Sequence, residues 1–300
     1  MRYLLIMTLT LVAALPAQPQ VQVIGADGLS ASKLDAVRRL TNDALDHLAP
    51  SLPTVSPPFT VVVHPDLASL PAPVRTSLHA GAAGVALLGR REIHLILERA
   101  GIEPPNDLRT VVRHEVVHIL LHDLAGAYVP RWFHEGLAQL LTGATYLGVS
   151  EEDIAFHAST DNLLRFSRLR TGFPRRESAL RTAYAQSFSF VSFLERQVGL
   201  AVLLQCAAQC RADTTFADAF LKTTGTPLVV MEEEWVHYVK TGSGAAWRVL
   251  LTSCFGLLIV ASLPLLAMAG VRRWNRDLQS RHKLEREDLE EGGVTDGAER

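Results

Sequence analysis

His114-Glu115-Val116-Val117-His118, followed after a short connection by Trp132-Phe133-His134-Glu135-Gly136, is the stretch that decides how this chain is read. The first run is H-E-x-x-H. Residues four apart share one face of a helix, so His114 and His118 can reach a single metal ion. Glu115 lies one residue further round, close enough to polarise a water without having to be a ligand. A catalytic zinc site wants three protein ligands and one open position, and Glu135 is the best candidate for the third. His134, next to it, is not removed by spacing alone. His122 shares the stripe of His118, but three ligands along one straight helix cannot converge on one tetrahedral ion.

The context favours a metal over two incidental histidines. Leu108, Val111, Val112, Val116, Val117, Ile119, Leu120 and Leu121 make the surrounding helix apolar, with Asn106 or Asp107 as its N-cap after Pro104-Pro105. Two imidazoles and a carboxylate in such a helix are costly to bury without a partner, and a metal ion is one. A zinc hydrolase, and within that class a peptidase, is the expectation. The longer pattern H-E-x-x-H-x-x-G-x-x-H would need Gly at 121 and His at 124; Leu121 and Leu124 stand there, which excludes the metzincin type.

From Val111 to about Leu141 the chain resembles the gluzincin metallopeptidases, in particular the bacterial peptidase MA-like family. These carry H-E-x-x-H, a loop, and W-x-x-E-G-x-A on a second helix; here the second motif reads Trp132-Phe133-His134-Glu135-Gly136-Leu137-Ala138. The resemblance implies that Glu135 is the third ligand and that the two helices run antiparallel with zinc between them. It extends weakly to Tyr184-Ala185-Gln186-Ser187-Phe188 and Phe193 to Gly199. It also implies a place for Tyr184 as donor to the oxyanion of a tetrahedral intermediate, the alternative being a structural tyrosine in the core or at the rim of an amphipathic helix. Glu115 then acts as general base and acid. Gln139, one turn after Glu135, is a candidate partner for a ring N–H of His114 or His118, or else a surface glutamine.

Upstream, Gly84 to Gly89 and Glu92 to Leu97 read as a hairpin broken at Gly89-Arg90-Arg91. In gluzincins an edge strand precedes the zinc helix, so an extended peptide or protein substrate is expected to add there. His94 either lines that edge or faces solvent. Strand Phe59 to Val63 and an amphipathic helix from Ser32 to Leu48 come first. Helices follow at Glu151–Phe156, Leu180–Val198, Leu200–Arg211 and Phe216–Leu221, and around Glu232 to Trp235. The expected fold is therefore α+β: a zincin-like domain with a small N-terminal sheet and a mainly helical C-terminal part, plus one C-terminal transmembrane helix.

The ends of the chain suggest a location. Residues 1–17 have one early arginine, an apolar run and small residues at Ala14 and Ala17, as a secretory signal does. Within 248–271 the run from Val249 to Val271 holds no charge; the segment is flanked by Trp247 and Trp274 and followed by Arg272, Arg273 and Arg276, as in a membrane span with its C-terminus cytoplasmic. Residues 18–244 are then one extracytoplasmic domain, and 272–300 a charged cytoplasmic tail. Cys206 and Cys210, four apart, would bridge only with strain. A formal net charge of −2 gives no pointer to nucleic acid. Two other classes remain: a catalytically inactive zincin-fold binding protein tethered to the membrane, which the intact Glu115 argues against, and an intramembrane protease, which Arg109, Arg113, His122 and Asp123 around the motif disfavour.

Overall fold

Apolar residues at every second position put Phe59, Val61 and Val63 of strand β2 (Phe59–His64) on one face, where all three are buried. The computed structural model describes residues 21–52, 57–76, 78–79, 81–101, 106–144, 151–241, 258, 262–274 and 276. Strand β1 (Val21–Gly25) pairs parallel with β2, and β2 pairs parallel with β4 (Glu92–Ile96). β3 (Gly84–Leu87) pairs antiparallel with β4, giving a four-stranded sheet in the order β1-β2-β4-β3. The hairpin between β3 and β4 is the expected one. Its turn places Arg91 in the left-handed region, at φ 56°. The Arg91 guanidinium pairs with Asp123 and donates to the carbonyls of Pro57 (2.6 Å) and Pro58 (3.1 Å), so the hairpin tip is tied to both its neighbours. β1 was not expected, because its strand character comes from pairing with β2 and not from its own five residues.

One face of the sheet carries Val23, Val61, Val63, Ile93 and Leu95 into the main core. There it meets α1 (Ala31–Leu48), whose buried Val37, Thr41, Ala44, Leu45 and Leu48 follow helical spacing, and α3 (Leu108–Ala125). The other face is covered by a small separate cluster. Leu70 and Val74, the latter in the short helix α2 (Ala72–Arg75), pack there on Ile96, with Val85 and Leu87 beside them. His64 and His94 lie on this second face. Both are buried, with His64 Nε2 3.0 Å from His94 Nδ1, and His94 Nε2 3.3 Å from Glu92 Oε2. His94 is thus part of a buried polar chain and neither lines the outer edge nor faces solvent.

The remainder is helical: α4 (Arg131–Thr142), α5 (Glu151–Ser159), α6 (Glu177–Val198), α7 (Leu200–Ala208), α8 (Phe216–Thr224) and α9 (Leu228–Thr241). α5, α6, α8 and α9 are longer than their sequence patterns suggested, while α7 stops three residues earlier. Trp132, Phe166, Phe190 and Trp235 form an aromatic block that joins α4, α6 and α9, with ring centroids 4.4–5.6 Å apart. Gly136 lets α4 lie directly on α6: a Cβ there would stand 2.4 Å from the Ser187 carbonyl oxygen. Cys206 and Cys210 are buried free thiols.

The chain divides into two units, Met1–Ser243 and Gly244–Arg300. In the second, residues 262–274 are helical, and Leu263, Leu265, Leu266, Met268, Val271 and Trp274 are all exposed. Among the described residues no single helix is long and apolar enough to cross a membrane. The expected signal segment 1–17, most of the first half of the expected span 248–271, and nearly all of the tail lie outside the described residues.

Two outcomes are expected from this packing. Gly136→Ala should lower thermal stability, by about 1–3 kcal/mol, because the added methyl forces α4 off α6; a melting curve checks it. His64 and His94 are both held below the ordinary 6.5, chiefly by burial and, for His64, by its neighbour His94, with Glu92 partly opposing at His94. A depressed folded value means stability that is present above 6.5 and lost as protons are taken up below it. The melting temperature should therefore fall between about pH 7 and pH 5, and His64→Leu/His94→Leu should flatten part of that fall.

Candidate metal centre

Asp107 starts the first of the two site helices. It occupies the N-cap of α3, and its carboxylate accepts from the Thr110 backbone N–H at 3.1 Å, as the sequence suggests. α4 begins after Pro130, and its first two N–H groups, of Arg131 and Trp132, donate to the carbonyls of Arg170 (2.8 Å) and Leu169 (3.1 Å). With both starts anchored and the Trp132 block behind α4, the facing sides of the two helices bring His114, His118 and Glu135 together. One ligand atom from each lies within 4.8 Å of the others.

The details have the character of a ligand set. His114 Nε2 and His118 Nε2 stand 3.3 and 3.6 Å from Glu135 Oε2. Ligands 2.0–2.1 Å from a tetrahedral ion are about 3.3 Å apart, so the spacing fits one. Glu135 is only 2% exposed, and its Oε2 is buried with no hydrogen-bond partner. A buried carboxylate oxygen facing two imidazole nitrogens without a bond of its own is what a cation would satisfy. These residues can hold a metal ion. His134 is buried on the same helix, with its ring 5.7 Å from that of His118, but it is outside the cluster.

Electrostatics separate the groups. Burial by itself would raise Glu135, but Arg131, then His118 and His114, hold it well below the usual carboxylate range. Burial pushes His114 down, yet the Glu135 carboxylate 3.3 Å away and the charge of Glu115 carry it above 6.5. Glu115 is raised, by burial first, with His118 and His114 opposing. His134 falls to about 3, through burial and then His118, and so stays neutral.

Glu115 sits under the outer strand. A Cβ on Gly84 of β3 would lie 2.9 Å from its Cγ and 3.1 Å from its Oε1, so a residue without a side chain is needed there. The cluster opens into a cleft of about 950 Å³ whose wall includes Gly84 to Gly89, Glu115 and Tyr184. Tyr184 is 4% exposed, edge-on to His79 (6.0 Å) and Phe173 (5.0 Å). Gln139 is fully buried; its amide nitrogen donates to the carbonyls of Glu135 (3.1 Å) and Tyr184 (3.0 Å), clamping α4 to α6, so it is not a surface glutamine.

Two cleft residues escaped the sequence reading. Arg131 NH2 is 2.7 Å from Glu135 Oε1, and an arginine four residues before a glutamate on one helix was a legible signal. His79, with Nε2 3.3 Å from Arg131 NH2, lies in a connecting segment without any such spacing.

A three-residue cluster able to hold a metal ion, on two packed helices beside the edge of a mixed sheet, is the arrangement of a zincin-like peptidase. Residues 82–241 match the family profile of the Peptidase MA superfamily, and the chain belongs to that superfamily. No curated protein matches the chain.

Proposed function

We propose that this protein is a zinc-dependent peptidase of the gluzincin type, with His114, His118 and Glu135 as ligands and Glu115 as general base and acid. The observation that carries the reading is the buried, otherwise unbonded Oε2 of Glu135, 3.3 and 3.6 Å from the two imidazole nitrogens. Zinc suits a two-imidazole, one-carboxylate set and, when bound, supplies Lewis acidity and lowers the pKa of water.

The remaining work falls to the chain. β3 is the outer strand of the sheet and lines the cleft, so an extended peptide can add to it by main-chain hydrogen bonds. Gly84 leaves the Glu115 carboxylate room directly beneath that peptide. Burial raises the basicity of Glu115, which takes a proton from the attacking water and passes it to the leaving amine nitrogen. Tyr184, on the cleft wall, is the candidate donor to the oxyanion.

We further propose that the domain is held at the outer face of a membrane, with residues 1–17 as signal, one span at 248–271 and a cytoplasmic tail at 272–300. Support comes from the 262–274 helix, whose apolar residues are exposed on every side, a state water disfavours and lipid does not.

The full chain in detergent should carry one zinc and cleave peptides. Glu115→Gln should lower kcat by about 10²–10⁴-fold with zinc retained, whereas Glu135→Ala should lose zinc. Metal analysis and a peptide assay read both. Full cleavage by Glu115→Gln would sink the mechanism, and full zinc in Glu135→Ala would move the third ligand to His134. A reporter fused to the C-terminus should register in the cytoplasm, and an extracytoplasmic signal would overturn the topology.

A further inference from the structure

A carboxylate can meet a metal through one oxygen or through both, and the choice decides whether a coordination position stays open. In Glu135 the two oxygens are in different surroundings. Oε1 receives Arg131 NH2 at 2.7 Å, while Oε2 faces the histidines and has no hydrogen bond. Arg131 is the first residue of α4 and lies one turn before Glu135, so helix geometry sets the pair. Its backbone N–H is fixed on the Arg170 carbonyl.

The same guanidinium has other partners. It hydrogen-bonds the side chain of Tyr184, approaches His79 Nε2 at 3.3 Å, and stands 5.9 Å over the Phe173 ring. Tyr184 in turn meets both His79 and Phe173 edge-on. One planar, always-charged group therefore connects the carboxylate of the cluster to the aromatic wall of the cleft, a task for which a lysine ammonium has the charge but not the fork.

We propose that Arg131 is a positioning residue: it occupies Oε1 of Glu135 so that only Oε2 ligates the metal, and it holds the Tyr184 hydroxyl on the cleft wall. The inference rests on the metal-site reading above. By keeping Glu135 monodentate it preserves the open position that a water needs.

Cobalt(II) in place of zinc in the full chain reads this directly, because its visible absorption is strong in four-coordinate sites and weak at higher coordination. In Arg131→Met, Oε1 is released, so the cobalt band should weaken, and zinc affinity, measured by chelator competition, should fall about 10–100-fold. Arg131→Lys should recover most of the band and the affinity, since a charge again meets Oε1. Its kcat should remain low with KM little changed, since Tyr184 is not held. A folded Arg131→Met with wild-type affinity and a wild-type cobalt spectrum would overturn the proposal. If Arg131→Met does not fold, Arg131→Gln reads the same two quantities, and wild-type values there overturn it equally. Failure of the unmutated chain to bind cobalt or zinc at all would remove the metal reading itself, a result distinct from the first.

Discussion

The buried carboxylate of Glu135 is the constraint around which the rest is arranged. An ionised group that is 2% exposed must be compensated on every side, or it would take up a proton and lose its charge. Arg131 supplies one side at 2.7 Å, and the two imidazoles of α3 supply the other. These partners come from two helices, so the carboxylate is also a statement about how those helices pack.

That packing is achieved by groups that do no chemistry. Gly136, immediately after the carboxylate, removes the side chain that would hold α4 away from the Ser187 carbonyl. Gln139 bonds the backbone of both α4 and α6. Trp132 buries the start of α4 in an aromatic block with Phe166 and Phe190. The motif Trp132 to Ala138 thus contains one residue for the site and several for the angle and distance at which that residue is presented. On the other side, Arg91 ties the hairpin tip to Asp123 of α3, so the outer strand and the histidine helix are held by the same clamp.

How much of this could be read from the chain depends on how local each signal is. His114, His118 and Glu135 were legible because helical spacing alone puts the first two on one face and the second motif matches a known pattern. The β3–β4 hairpin was legible from alternation and its Gly89-Arg90-Arg91 turn. β1 was not: five residues become a strand only because β2 offers a parallel edge 38 positions later, Val21 opposite Phe59. His94 illustrates the same limit from the other direction. Its place in a strand was clear, but its burial against His64 depends on a neighbouring strand and on Leu70 and Val74 covering that face. His79 reaches Arg131 across 52 positions, with no periodicity to announce it.

The strand order has a consequence for where this domain can be cut. The superfamily match begins at residue 82, just before β3, yet β4 lies in the interior of the sheet, between β3 and β2. A fragment starting there would keep the hairpin and all three clustered side chains, but would strip β4 of its inner neighbour and uncover Ile93 and Leu95, which meet β2 and the main core. An unpaired inner strand with an apolar face is a template for aggregation, and a two-stranded remnant is marginal on its own. The segment that carries the family's signature is therefore smaller than the segment that can fold: the β1–α1–β2 unit, which shares no motif with it, is structurally inseparable from the chemistry.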